Sequence, residues 1–323
     1  MATASKKKTY SSQPTGMTFA SLAGKTGHTL GVKTDAGILD VAAAAKLFKM
    51  KSLLTIDEVL AGADCAPLRK LAEKALADKR GRKALVPESR AKFGPAIPHP
   101  PKIICVGLNY RQHAAETGNP IPPVPMLFNK YENTLTGHRS KVKLPLKVDN
   151  QFDYEVELVI VMGRKAVDVP EGKALSYVFG YATGNDLSAR GLQRASSQIM
   201  LGKILDGFAP LGPYVVSADQ IPDPQNLRVT THVNGERRQN SNTADMIFTC
   251  AQIISYCSRH FTLKPGDIIY SGTPGGVVLG YPPEKRVWLK PGDKVVTEVE
   301  KLGALEVTLV NGGQPTVSHI TRG

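Results

Sequence analysis

The chain has 323 residues, with 41 basic and 28 acidic side chains, a formal charge of +13 and 41% hydrophobic residues. This length and composition specify a globular protein of one large domain or two smaller ones, and exclude a disordered chain. The longest apolar runs, such as 158–162 and 41–45, are far too short to cross a membrane, and the charge excess lies mainly in residues 1–100, where 17 basic side chains face 8 acidic ones without interleaved aromatics, so a solvated basic face is favoured over a nucleic-acid surface.

Residues 1–16 carry Lys6-Lys7-Lys8 and no apolar core segment, and read as a flexible basic tail without a secretory signal. A cytoplasmic protein is expected. Residues 17–40 read as short strands around an Asp35-Ala36-Gly37 turn. Residues 41–80 are rich in Ala, Leu and Lys at helical spacing, with a break near 63–67. Together, 17–95 predict a small N-terminal α/β domain. The segment 96–101, with Pro98, Pro100 and Pro101, reads as a linker and as the domain boundary. From 102 to 323 the chain is rich in strands, expected at 102–107, 142–145, 154–162, 178–183, 213–217, 228–234, 267–271, 295–300 and 304–310. One helix is expected over 243–260. This is an α+β, β-rich pattern and not a regular βαβ alternation. Cys65, Cys105, Cys250 and Cys257 show no CxxC spacing and read as reduced structural thiols.

The chemistry is concentrated after residue 100. Glu155 and Glu157 interrupt an otherwise buried strand, Phe152-Asp-Tyr-Glu-Val-Glu-Leu158 and onward to Met162. Alternation along a strand puts both carboxylates on one face. Two buried carboxylates repel and lose hydration unless a cation sits between them, and a hard divalent ion is the simplest choice. Asp186, after the strand at 178–183, could supply a third oxygen, although such a residue is commonly a turn or cap residue. Three carboxylates suit Mg²⁺ or Mn²⁺ better than Zn²⁺. His113 and Glu116 have the spacing that lets side chains meet on a short helix, as an oriented general base or as a plain surface pair. Gly107, Gly118 and the prolines of 120–125 suggest that this segment is a mobile lid. Lys203, in an apolar context, needs an anionic partner if it is buried, or it snorkels to the surface. Ser271-Gly-Thr-Pro-Gly-Gly276 is either a tight turn or an oxyanion-binding backbone, and it lacks a P-loop ending.

Five stretches in this order resemble the fumarylacetoacetate hydrolase family: Val106-Gly-Leu-Asn-Tyr-Arg-Gln-His113 with Glu116; Asp153-Tyr-Glu-Val-Glu-Leu158; Gly184-Asn-Asp-Leu-Ser-Ala-Arg190; Gly202-Lys203 with Asp206-Gly-Phe-Ala-Pro210; and Ser271 to Gly276. The resemblance spans about residues 100–312. It implies a β-roll catalytic domain, a homodimer, and Mg²⁺ or Mn²⁺ held by Glu155, Glu157 and Asp186. It also implies catalysis by His113, Glu116 and Lys203, with Arg190, Gln193 and Thr273 near the substrate. Gly191 and Leu108 depart from the family pattern, where Asp and Arg are common. The expected reaction is metal-dependent hydrolysis of a C–C bond in a 2,4-dioxo acid (an acylpyruvate). Decarboxylation of oxaloacetate or a related β-oxo acid, or hydration or isomerisation of an unsaturated dioxo acid, is the alternative. The expected partner is a small oxo-acid substrate, with no nucleic acid and no membrane.

Overall fold

The computed structural model describes residues 15–312; nearly all of the expected basic tail lies outside the described residues. Among those residues, two sheets, of ten and five strands, carry the architecture. The ten-stranded sheet runs in the order Leu85–Val86, Gly37–Asp40, His28–Thr34, Thr18–Ala23, Tyr214–Ser217, Val178–Asn185, Val156–Met162, Ile268–Tyr270, Ile103–Gly107 and Met126–Lys130. Its pairings are antiparallel except for Ile268–Tyr270 on Ile103–Gly107, which is parallel. The five-stranded sheet runs Glu236–Asn242, Arg228–Val233, Lys294–Val299, Gly303–Asn311 and Ser140–Leu144.

The strand Val156–Met162 lies near the middle of the larger sheet and is buried throughout. Its β-branched and Leu residues are buried on both faces, which produces the continuous apolar run seen in the sequence. Leu158, Ile160 and Met162 pack with Ile253, Ile254 and Cys257 of the helix Cys250–His260. Val159 and Val161 belong to the opposite layer, with Leu68 and Leu71 of the helix Ala66–Ala77. Glu157 shares the parity of Val159 and Val161, so its carboxylate emerges where that apolar face ends. Thr249 and Gln252 form a capping box at the start of Cys250–His260, which satisfies backbone donors that would otherwise be left free.

Several expectations need correction. The helix expected from 243 begins at Cys250, because the Thr249 cap starts it; Thr243–Asp245 is a separate 3₁₀ turn. The 96–101 segment is no exposed linker. Ala96 and Ile97 are buried in the core, and the Ala96 N–H donates to the Leu211 carbonyl at 3.0 Å. The N-terminal strands also continue the main sheet, since Thr18–Ala23 pairs with Tyr214–Ser217. Glu155 precedes the strand instead of lying in it. The strand Glu236–Asn242 was not expected; its polar sequence suits the sheet edge it occupies. All four cysteines are free and buried, and burial pushes their thiols up, as structural thiols require. No helix among the described residues is long and apolar enough to cross a membrane.

Candidate active site

Glu155 and Glu157 stand at the start of the central strand, and Asp186 follows its neighbour Val178–Asn185. The antiparallel register places Val156 opposite Asn185, so the two strand ends meet. The Glu155 N–H donates to Asn185 Oδ1 at 3.0 Å and the Asp186 N–H to the Glu155 carbonyl at 2.9 Å. The three carboxylates are buried, and each offers an oxygen within 4.8 Å of the others. Among the described residues, they form the one such grouping of metal-ligating side chains.

Three buried cations surround them. Lys203 Nζ donates to Glu155 Oε2 at 2.7 Å and to Asp186 Oδ2 at 2.8 Å. Arg190 lies 2.7 Å from Glu155 Oε1 and donates through Nε to Asp153 at 2.9 Å. Lys130 Nζ reaches Asp186 Oδ1 at 2.6 Å and donates to the carbonyls of Leu187, Lys203 and Phe208. Burial opposes ionisation of Glu155, but Lys203 and Arg190 outweigh it and hold the carboxyl at about 2. Burial opposes protonation of Lys203, and Asp186 and Glu155 outweigh it, so its ammonium is held above the ordinary lysine range. Glu157 differs. Its Oε2 accepts the Gly272 N–H at 2.7 Å and no side-chain ion pair to it is found among the described residues. Burial, then Asp186 and Glu155, push its carboxyl well above the usual range. It is the position where the cluster is short of positive charge.

Gly272 is needed for that contact. Its φ is +101° and a Cβ there would lie 2.6 Å from Asn109 Cβ. Asn109 in turn holds the turn in place, donating to the Ser271 and Phe248 carbonyls. Leu108, just before it, adopts a left-handed φ of 50°, a conformation costly for a leucine and typical of a constrained site.

The helix Arg111–Glu116 carries the expected pair. His113 Nδ1 and Glu116 Oε1 are 2.8 Å apart, and Glu116 Oε2 accepts the Gly276 N–H at 2.7 Å. A carboxylate at Nδ1 selects the tautomer with its proton there and leaves Nε2 as the basic nitrogen. The helix expected as part of a lid is tied to the body: Arg111 donates to the Asp245 and Met246 carbonyls, and the Gln112 N–H to Asp245. His113, Glu116, the three carboxylates, Arg190, Gln193, Lys203 and Thr273 all line one cavity of about 310 Å³. Leu108, Met126, Phe128, Ile199 and Leu279 give it an apolar wall. The site thus joins an imidazole held by a carboxylate to a cluster of three carboxylates in a space sized for a small molecule.

The profile described as "Fumarylacetoacetate (FAA) hydrolase C-terminal" matches residues 102–310. The chain belongs to the fumarylacetoacetate hydrolase family. It is 40% identical over 280 residues to oxaloacetate tautomerase YisK of Bacillus subtilis (strain 168), covering 84% of this chain and 92% of that protein. It is 45% identical over 216 residues to a fumarylacetoacetate hydrolase domain-containing protein 2 homolog of Dictyostelium discoideum, 64% of this chain and 70% of that one. Among solved structures, it resembles the maleylpyruvate hydrolase of Sphingobium sp. SYK-6 in complex with manganese(II) ion and pyruvate. The TM-score is 0.71 at 28% identity, over 92% of this chain and all of that one.

The acidic cluster of this chain fits a hard divalent cation. The donors are all carboxylate oxygens, and Glu157 is the one whose charge the neighbouring cations do not balance. Lys203 is turned onto Glu155 and Asp186, so in this geometry it is their counter-charge. Arg190 and Gln193 are joined, Nη1 to Oε1 at 2.9 Å. Thr273 Oγ1 accepts from Gln239 Nε2 at 2.9 Å. Gly191 has a local explanation: a Cβ there would lie 2.7 Å from both Asp149 carboxylate oxygens, and Asp149 accepts the Leu192 N–H at 2.7 Å. The acid at the start of the short helix Arg190–Arg194 comes from residue 149.

Sequence reasoning missed Lys130, Asp153 as the partner of Arg190, and Gln239. Gln239 accepts from the Val156 N–H and from Thr231 while holding Thr273 and the Pro274 carbonyl. Asp153 was visible inside its motif. Lys130 and Gln239 carry no local signal, because the groups that enclose them lie far along the chain.

Proposed function

We propose that this chain catalyses proton transfer at the carbon beside the 2-oxo group of a small oxo acid, with keto–enol tautomerisation of oxaloacetate as its reaction. The observation that carries this reading is the His113–Glu116 pair lining the same small cavity as Glu155, Glu157 and Asp186. Its support from related proteins is the similarity to an oxaloacetate tautomerase along nearly all of that protein's length.

Glu155, Glu157 and Asp186 would hold Mg²⁺ or Mn²⁺, which supplies Lewis acidity to a carboxylate and an adjacent oxo oxygen. His113 Nε2 takes the proton from C3, and that C–H electron pair becomes the C2–C3 double bond. The oxygen on C2 gains a proton from solvent, giving the enol. The reverse sequence gives the keto acid. Glu116 holds the imidazole in position and stabilises its protonated form. Lys203 keeps positive charge beside the oxygen that becomes electron-rich. The apolar wall limits water around C3.

Hydrolysis of an acylpyruvate is the second reading, favoured by the likeness to a maleylpyruvate hydrolase along that enzyme's whole length. There His113 would activate water instead of taking a carbon-bound proton. One panel separates the readings: enol decay, pyruvate release and CO₂ release are followed for oxaloacetate and an acylpyruvate, with Mg²⁺, with Mn²⁺ and with chelator. The expected result is metal-dependent enol–keto exchange, with His113→Asn slower by about 10²- to 10⁴-fold. Exchange that survives complete metal removal, or is untouched by His113→Asn, defeats the proposal. A homodimer in the cytoplasm completes the reading; sedimentation of the purified chain tests the dimer.

A further inference from the structure

Cations lining the cavity are mostly committed. Lys203 is paired with Glu155 and Asp186, and Arg190 with Asp153 and Glu155. Arg286 also lines the cavity, and among the described residues no carboxylate lies within ion-pairing distance of it. Its Nε donates to the Tyr281 carbonyl at 2.8 Å. The side chain is thereby folded onto its own turn, with the guanidinium plane fixed and the two terminal nitrogens left as donors. An arginine held this way is prepared for bidentate recognition of a carboxylate.

Its location follows from the segment that carries it. The Leu279 N–H donates to Asp153 Oδ2 at 3.0 Å. Gly280 lies so close to Glu116 that a Cβ there would be 2.4 Å from Glu116 Cδ. The 279–286 turn therefore borders the His113–Glu116 side of the cavity. In a four-carbon 2-oxo diacid, C1 and the C2 oxygen belong at the carboxylate cluster and C3 belongs at His113. The next group along the chain is the second carboxylate.

We propose that Arg286 is a specificity-determining residue that receives the second carboxylate of a dicarboxylic oxo acid, selecting it over oxo acids with a neutral far end. This rests on the oxo-acid reading above. Specificity would arise because a neutral end leaves the guanidinium without a partner and forfeits a charge-assisted pair.

The test compares wild type, Arg286→Gln and Arg286→Lys, loaded with Mn²⁺, on oxaloacetate and on its 4-methyl ester. Wild type should prefer the diacid. In Arg286→Gln, KM for oxaloacetate should rise about 10- to 100-fold, the scale of one lost charged hydrogen-bonding pair. The diacid-to-ester preference should collapse, and Arg286→Lys should restore part of it. A wild-type preference retained in Arg286→Gln overturns the proposal, as does a loss that is equal for acid and ester. A separate readout distinguishes this from failure of the tautomerase reading: the rise in melting temperature on adding oxaloacetate. If wild type turns over neither compound, the tautomerase reading falls. Arg286 is then judged by binding alone, where a smaller rise in Arg286→Gln supports the proposal and an equal rise overturns it.

Discussion

Lys130 shows how much of the site is decided by single buried charges. Its ammonium is completely enclosed, pairs with Asp186 and donates to three backbone carbonyls. Replacing it with a methionine of similar length leaves those carbonyls without their donor and Asp186 with Lys203 alone. Removing one partner of a buried ion pair costs about 3–5 kcal/mol, because the remaining charge is still desolvated. Lys130→Met should therefore unfold at clearly lower denaturant concentration, and an unchanged midpoint would refute the role. The same residue marks the limit of sequence reading at this scale. Glu155 and Glu157 were legible because two carboxylates in an apolar strand are an electrostatic anomaly. His113 and Glu116 were legible from helical spacing. Lys130 is an ordinary lysine at the end of an ordinary strand, and it is buried by segments far along the chain, at Asp186, Leu187, Lys203 and Phe208.

Among the elements, the turn at 271–280 sets the position of Glu116 against His113. Gly275 and Gly280 both approach the Glu116 carboxylate, and Gly280 does so most closely. A methyl group at 280 meets the far end of a flexible side chain, so the fold can yield by moving Glu116. That movement breaks the contact with His113. Gly280→Ala should keep nearly the wild-type melting temperature while kcat falls on the order of 10-fold or more, part of what an oriented base supplies. Normal kcat would mean that Glu116 does not orient the histidine.

The strand Gly303–Asn311 offers a pH test. His138 is buried, accepts the Glu306 N–H at Nδ1 at 3.1 Å, and meets the Phe93 ring edge-on. Burial, then Arg139, lowers its pKa from 6.5 to about 4. Between these values the unfolded chain binds a proton that the native chain does not, so stability falls with falling pH. The contribution is fully present above pH 6.5 and is lost progressively towards pH 4. A His138→Asn variant should show a shallower loss of stability across that window; an identical slope would exclude His138 as its source. Most strands were legible from β-branched runs between turn residues. Glu236–Asn242 was not, since an edge strand has no need of an apolar pattern. The proline-rich 96–101 segment misled for a related reason: proline signals an irregular backbone, and an irregular backbone can still be packed.

For the whole molecule, the family match beginning at residue 102 suggests a separable body, but the sheet does not stop there. Phe19, Leu30, Leu68 and Leu71 share one apolar cluster with Val159, Phe179 and Val215. A chain starting at 96 would expose that cluster and the bare edge of Tyr214–Ser217, an invitation to aggregation. It should elute as aggregate on size exclusion and lack a cooperative thermal transition; a monodisperse product with the full-length melting temperature would show that the two parts are independent.

The parallel ladder of Ile268–Tyr270 on Ile103–Gly107 joins segments more than half the chain apart. The strand Ile268–Tyr270 also pairs antiparallel with Val156–Met162, Tyr270 opposite Val159, and this pairing brings Gly272 to Glu157, whereas Glu155 and Asp186 meet across one local strand pair. Contacts between distant segments form slowly, because loop closure must precede them. During refolding, the local pair therefore gathers Glu155, Glu157 and Asp186 before the Gly272 N–H reaches Glu157. The backbone donor to Glu157 is the last part of the cluster to arrive, so a newly made chain passes through a stage in which its carboxylates are gathered and one of them still lacks its partner.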